Sequence, residues 1–87
     1  MDSAAIRQRI KQIIANVTNL DPAKIGDQDS FTEQLKLDSL SLLEIGVDID
    51  YEFKLNLPEE RMRELSTVDE TVQLVLARQT ELAEAAA

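Results

Sequence analysis

The run from Leu40 to Phe53 carries apolar side chains on two opposite faces of one helix, and this constrains the fold more than any other stretch of the chain. At about 100° per residue, Leu40, Leu43, Val47 and Tyr51 fall within about 80° of one another and form one stripe. Leu42, Ile45, Ile49 and Phe53 form a second, centred roughly 180° from the first. Ser41, Asp48 and Glu52 occupy one polar seam, Ser39 and Asp50 the other, and Glu44 borders the first stripe. A helix in a globular domain needs only one apolar face. The second has two explanations at this level: neighbours in a small bundle cover both faces, or one face is core and the other docks a partner.

A chain of 87 residues is expected to form a single domain, residues 1–87, with one modest core. Its hydrophobic content of 44% includes only three aromatic side chains, which favours an aliphatic helical bundle over a sandwich or barrel. Nine basic and seventeen acidic residues give a formal charge of −8. That balance repels nucleic acid and anionic lipid and favours encounter with basic protein patches. Cysteine and histidine are both absent, which removes disulfides, thiolate metal sites and the usual activating base. No apolar run approaches the length of a membrane span, and the N-terminus lacks a signal-peptide pattern. These features lead to the expectation of a cytoplasmic, soluble monomer without internal repeats or linkers.

Along the chain, Ser3 is placed to cap a first helix whose apolar residues Ile6, Ile10, Ile13, Ile14 and Val17 keep helical spacing up to a stop at Asn19. Arg7, Arg9 and Lys11 on its other faces are read as a solvated surface. Asp21-Pro22 resembles a cap with proline at the first position of a short helical turn. Residues 25–37 then lack any sustained period and read as a long, partly ordered loop anchored by Ile25, Phe31, Leu35 and Leu37, with one helical turn capped by Ser30. Asp27 and Asp29 invite comparison with a calcium loop, but the glycine such a loop needs at its sixth position is missing, and no metal site is expected.

Asp38 falls at the N-cap of the central helix, with Ser39 in its first turn. Free backbone N–H groups and the positive end of the helix dipole meet there, which suits a phosphate oxygen. As a hydrolytic nucleophile Ser39 has no histidine to activate it, and a Ser-Lys alternative needs a cleft that a domain of this size rarely builds. The chain is therefore not expected to be an enzyme. Beyond the helix, Leu55 and Leu57 alternate with Lys54 and Asn56, Pro58 opens a turn from Glu59 to Leu65 with Met62 and Leu65 inward, and Thr67 with Glu70 forms a capping box for a last helix. The stripe of that helix, Val68, Val72, Val75, Leu76 and Leu82, is assigned to the core, and Glu84 to Ala87 are expected to fray.

Leu37-Asp38-Ser39-Leu40, followed by Glu44, Ile45, Ile49, Phe53 and Pro58, resembles the acyl carrier protein family over nearly the whole chain. The resemblance implies an all-α fold, a four-helix bundle with a long loop between helices 1 and 2 and a short third helix. It implies that Ser39, next to Asp38, is esterified with 4′-phosphopantetheine by a phosphopantetheinyl transferase. It further implies that the arm holds acyl intermediates as thioesters and that the second helix presents them to separate enzymes of fatty acid, polyketide or specialised lipid synthesis. Leu42, Ile45, Ile49 and Phe53 are then core, and Leu40, Leu43, Glu44 and Val47 meet acyl-handling enzymes with basic docking patches. Asp38 and Asp50 add negative charge around that contact, where exposed pairs orient more than they tighten, whereas Asp48 and Glu52 lie away from the first stripe and are read as a solvated face. The alternatives are an aminoacyl or peptidyl carrier, or an acidic helical adaptor without a prosthetic group.

Four positions depart from the common family pattern. Ser41 stands where an acid is frequent, and Lys36 and Lys54 stand where glycine is frequent. Gly46 replaces an aliphatic residue, at a cost of about 1 kcal/mol in helix propensity. It is read either as room inside the bundle for a branched or modified acyl group, or as a site of close helix packing.

Overall fold

A computed structural model describes residues 2–86. The first and last residues of the expected 1–87 domain, and Ala87 of the expected frayed end, lie outside the described residues. In chain order the elements are α1 (Ser3–Thr18), a 3₁₀ turn (Pro22–Lys24), α2 (Ser39–Phe53), α3 (Glu59–Arg63) and α4 (Val68–Ala86). The expected all-α bundle, with its long first loop and short third helix, is the fold observed.

Helix α1 starts one residue earlier than the reading from Ser3. Asp2 is the N-cap, its carboxylate accepting from Ala5 N at 2.8 Å, and Ser3 is the first helical residue. Adjacent Asp and Ser are about equal as caps, so the sequence did not decide between them. At the other end Asn19 takes the left-handed conformation, φ 63°, and donates its N–H to Ala15 O. Asp21 caps the 3₁₀ turn through Ala23 N, with Pro22 at its first position.

Helices α1, α2 and α4 pack around one aliphatic core, and α3 packs against α2. Ile6, Ile10 and Ile14 of α1 meet Leu42, Ile45 and Ile49 of α2 and Val68, Val72 and Val75 of α4. Each such side chain removed from water contributes about 1.5–3 kcal/mol. Phe31 is fully buried and seals the loop end of the bundle. Leu76 and Phe53 pack only partly against this core, while Leu82, assigned to the core from its spacing, is half-buried and not part of it. Past Leu76 the polar contacts of Arg78 with Leu55 O and Asn56 O take the place of core packing.

The loop before α2 is held at several points. Phe31 N donates to Ser66 O at 2.8 Å, and Asp69 N to Asp27 O at 3.1 Å, which ties the loop to the start of α4. Ser30 Oγ accepts from Glu33 N at 3.1 Å, and Gln34 Oε1 accepts in return from Ser30 N at 2.6 Å. Arg7, Arg9 and Lys11, read as a solvated face, are instead engaged. Arg7 binds Asp69, Lys11 Nζ lies 2.7 Å from Asp27, and Arg9 binds Glu52. Lys11 holds the Asp27 carboxyl below its ordinary range, outweighing partial desolvation. Asp29 accepts from Gly26 N at 2.9 Å. The two acids that suggested a calcium loop thus serve the loop's own hydrogen bonds and ion pairs.

Candidate functional site

Helix α2 is positioned by both its ends. At the start, Asp38 accepts from Ser41 N at 2.8 Å, and its own carbonyl receives Leu42 N at 3.0 Å. The Ser41 N–H, followed by the Ser41 hydroxyl, keeps the Asp38 carboxyl below its ordinary range. At the end, Lys54 adopts the left-handed conformation, φ 54°, and its N–H closes onto Asp50 O. The Asp50 carboxylate accepts from Leu57 N at 2.8 Å, fixing the bend into α3.

Between these ends the two stripes have opposite fates. Ile45 and Ile49 are completely buried and Leu42 nearly so, while Leu40 is 63%, Val47 48% and Tyr51 84% exposed. The bundle does not cover both faces. Leu43 lies between, half-buried at the edge of the core. Leu43, Glu44, Val47 and Asp48 line a shallow surface depression of about 350 Å³. An apolar floor with two carboxylates beside it suits a partner that brings an aliphatic side chain and a basic group.

Within the acidic surround the structure separates two roles. Asp38, Glu44 and Asp48 are exposed and pair with no basic side chain among the described residues. Asp50, grouped with Asp38 and Glu44 on sequence, is already committed to Leu57 N, and Glu52 binds Arg9, whereas Asp48, read as part of a solvated face, lies beside Val47 in the depression.

Ser39 is the first residue of α2, and its side chain is exposed. Its hydroxyl makes no hydrogen bond among the described residues, because the neighbouring Asp38, not Ser39, serves as the cap. The capping duty that would occupy a hydroxyl at this end is met one residue earlier. The oxygen is left open for a bulky substituent beside the helix N-terminus, where an anion is electrostatically favoured. These features fit a phosphate ester.

Gly46 resolves against the roomy reading. It is buried, and a Cβ there would lie 2.5 Å from Met62 Cβ and 3.1 Å from Met62 Cα. The space that glycine leaves is filled by α3. Met62, expected to face inward, is 7% exposed and plugs that site. Sequence spacing could not reveal this, since nothing in residues 39–53 says which residue of α3 faces position 46.

A family model described as a phosphopantetheine attachment site matches residues 8–75. The acyl carrier protein of Rubrobacter xylanophilus is 34% identical over 80 residues, covering 92% of this chain and 99% of its own length. That of Thermosynechococcus vestitus is 31% identical over 75 residues, 86% of this chain and 93% of its own. The meromycolate extension acyl carrier protein of Mycolicibacterium aurum is 33% identical over 78 residues, 90% of this chain and 80% of its own.

Proposed function

The chain belongs to the acyl carrier protein family, and we propose that it carries acyl intermediates on 4′-phosphopantetheine esterified to Ser39 and delivers them to separate enzymes through the outer face of α2. Members of this family are carriers and not catalysts, and their prosthetic group is 4′-phosphopantetheine. When attached, that group supplies the thiol which this chain, lacking cysteine, does not have.

The observation that carries the proposal is an exposed, uncommitted hydroxyl at the first position of a helix whose outward stripe is also exposed. Each residue has a distinct task. Asp38 fixes the start of the helix and so the direction in which Ser39 projects. Leu40, Leu43 and Val47 supply apolar contact to partners, and Glu44 with Asp48 attracts and orients their basic groups. Residues 1–87 act as one acyl-carrier domain, which places the transferase and the acyl-handling enzymes on the same surface in turn.

For the pathway, we propose a lipid or polyketide route. Relatives named simply as acyl carrier proteins and others named for meromycolate extension both align over most of this chain. The filled Gly46 site leaves no support for a cavity reserved for a branched acyl group. Protein purified from its own cells and treated with neutral hydroxylamine tests the route directly. Release of a fatty or polyketide hydroxamate, with the arm's thiol as leaving group, supports it; an aminoacyl hydroxamate would replace it with an aminoacyl carrier.

A further inference from the structure

Lys36 stands out electrostatically. Between Lys24 and Lys54 it is the sole basic residue, in a stretch that holds eight acids: Asp27, Asp29, Glu33, Asp38, Glu44, Asp48, Asp50 and Glu52. Its side chain is exposed, and it pairs with no carboxylate among the described residues, although Glu33 and Asp38 are close in sequence. Arg7, Arg9, Lys11, Arg63 and Arg78 have acidic partners, while Lys36 shares the lack of one among the described residues with Lys24, Lys54 and Arg61, none of which lies as near Ser39 in sequence.

Its backbone is also unusual. Lys36 sits at φ 56°, in the left-handed region that favours glycine. A lysine at such a position carries a conformational cost that glycine would avoid, which turns attention to its side chain.

The local charge pattern supplies a use. Asp38 is held ionised as the cap of α2, so a phosphodiester on Ser39 would set a second anion directly beside it. Lys36 is three residues from Ser39, at most about 10 Å of extended chain, within the joint reach of a lysine stem and a serine ester. We infer that Lys36 is a positioning residue for the prosthetic arm, its ammonium pairing with the phosphodiester on Ser39 and offsetting the repulsion from Asp38. The pairing confines the root of the arm, leaving its far end to swing. The inference rests on Ser39 being the attachment point.

The test compares wild type, Lys36→Gln and Lys36→Arg, each before and after loading with a promiscuous phosphopantetheinyl transferase and coenzyme A, with loading read by intact mass. Taking the change in melting temperature on loading cancels any backbone effect of the substitution. At low salt that change should be less favourable by about 2–4 °C in Lys36→Gln than in wild type, the size of an exposed ion pair in a domain this small. Lys36→Arg should retain the wild-type response. In 1 M salt, where screening acts within about 3 Å, the difference should vanish. Equal loading responses at low salt in wild type and Lys36→Gln, or a difference that survives 1 M salt, would overturn the pairing while leaving Ser39 in its role. Absence of a mass increase in wild type would overturn both.

Discussion

A Cβ built on Gly46 of α2 would lie 2.5 Å from the Cβ and 2.8 Å from the Cγ of Met62 in α3. The two helices are therefore in contact at a point where only glycine fits, and α3, a helix of five residues, is seated by that contact. A helix this short is not stable by itself. Met62, flexible and unbranched, is well suited to fill the place of a missing side chain.

Gly46→Ala sets two effects against each other. Helix propensity alone predicts a gain of about 1 kcal/mol, whereas overpacking against Met62 Cβ costs about 1–3 kcal/mol. Because the clash involves Met62 Cβ and Cα, which a rotamer change does not move, overpacking wins and the variant loses stability. Urea unfolding reads the sign directly, and a stabilised Gly46→Ala protein would contradict the close contact.

The glycine pattern expected from the family acquires a physical explanation at two other positions. Lys36 at φ 56° and Lys54 at φ 54° both adopt the conformation glycine takes without penalty. Relief of about 1–2 kcal/mol of strain is partly offset by the greater freedom of glycine in the unfolded chain. Lys54→Gly, and Lys36→Gly in the unloaded protein, should each raise stability by about 0.5–1 kcal/mol, seen as a higher urea midpoint at unchanged slope.

The division of α2 into an inner and an outer face separates folding from docking. Ile45→Ala should cost about 2–5 kcal/mol. Leu40→Ser and Val47→Ser should change stability by no more than about 0.5 kcal/mol yet weaken a partner enzyme about tenfold or more. Glu44→Lys should slow association and flatten its salt dependence. Calorimetric unfolding beside surface-plasmon binding to one acyl-handling enzyme distinguishes the two classes. Loss of cooperative unfolding in Val47→Ser would return the outer stripe to the core.

Acid should weaken the loop and the start of α2 together. Asp27 and Asp38 both have folded-state values lowered from an ordinary 3.8, the first chiefly by Lys11 and the second chiefly by Ser41 N–H. For groups shifted down, the stabilisation is complete above the unfolded value and is lost as pH falls through the folded one. The stability advantage of wild type over Asp27→Asn should be constant above about pH 5 and be lost as pH falls below 3.8 through the lowered folded-state value. Chemical unfolding across that range checks it, and an advantage that persists at the acid end would exclude the Lys11 pairing as its source.

Much of this was legible in the sequence because it is local. The two stripes of α2, the Asp38 and Asn19 caps, the proline-led turn after Asp21 and the Thr67 cap depend on residues a few positions apart, and helical spacing or capping chemistry reads them. The Thr67 box is only half formed: Thr67 Oγ1 accepts from Glu70 N at 3.1 Å, but the Glu70 carboxylate takes the Ser66 hydroxyl. What escaped depends on contacts between distant segments. Arg7 finds Asp69 across 62 residues, Arg9 finds Glu52 across 43, and Gly46 is explained by Met62. Asp50 is a case in between, an acid on the correct helix whose carboxylate is drawn away by a backbone N–H seven residues on. The candidate site was readable in advance because Asp38, Ser39 and Leu40 are contiguous.

The central claim is that one exposed oxygen on α2 carries the arm. Wild type and Ser39→Ala, each incubated with a promiscuous phosphopantetheinyl transferase and coenzyme A and then weighed by intact-mass spectrometry, test it most directly, with circular dichroism verifying that both are folded. Wild type should gain the mass of a single phosphopantetheine and Ser39→Ala none. Equal gains in the two proteins, or no gain in either, would contradict it.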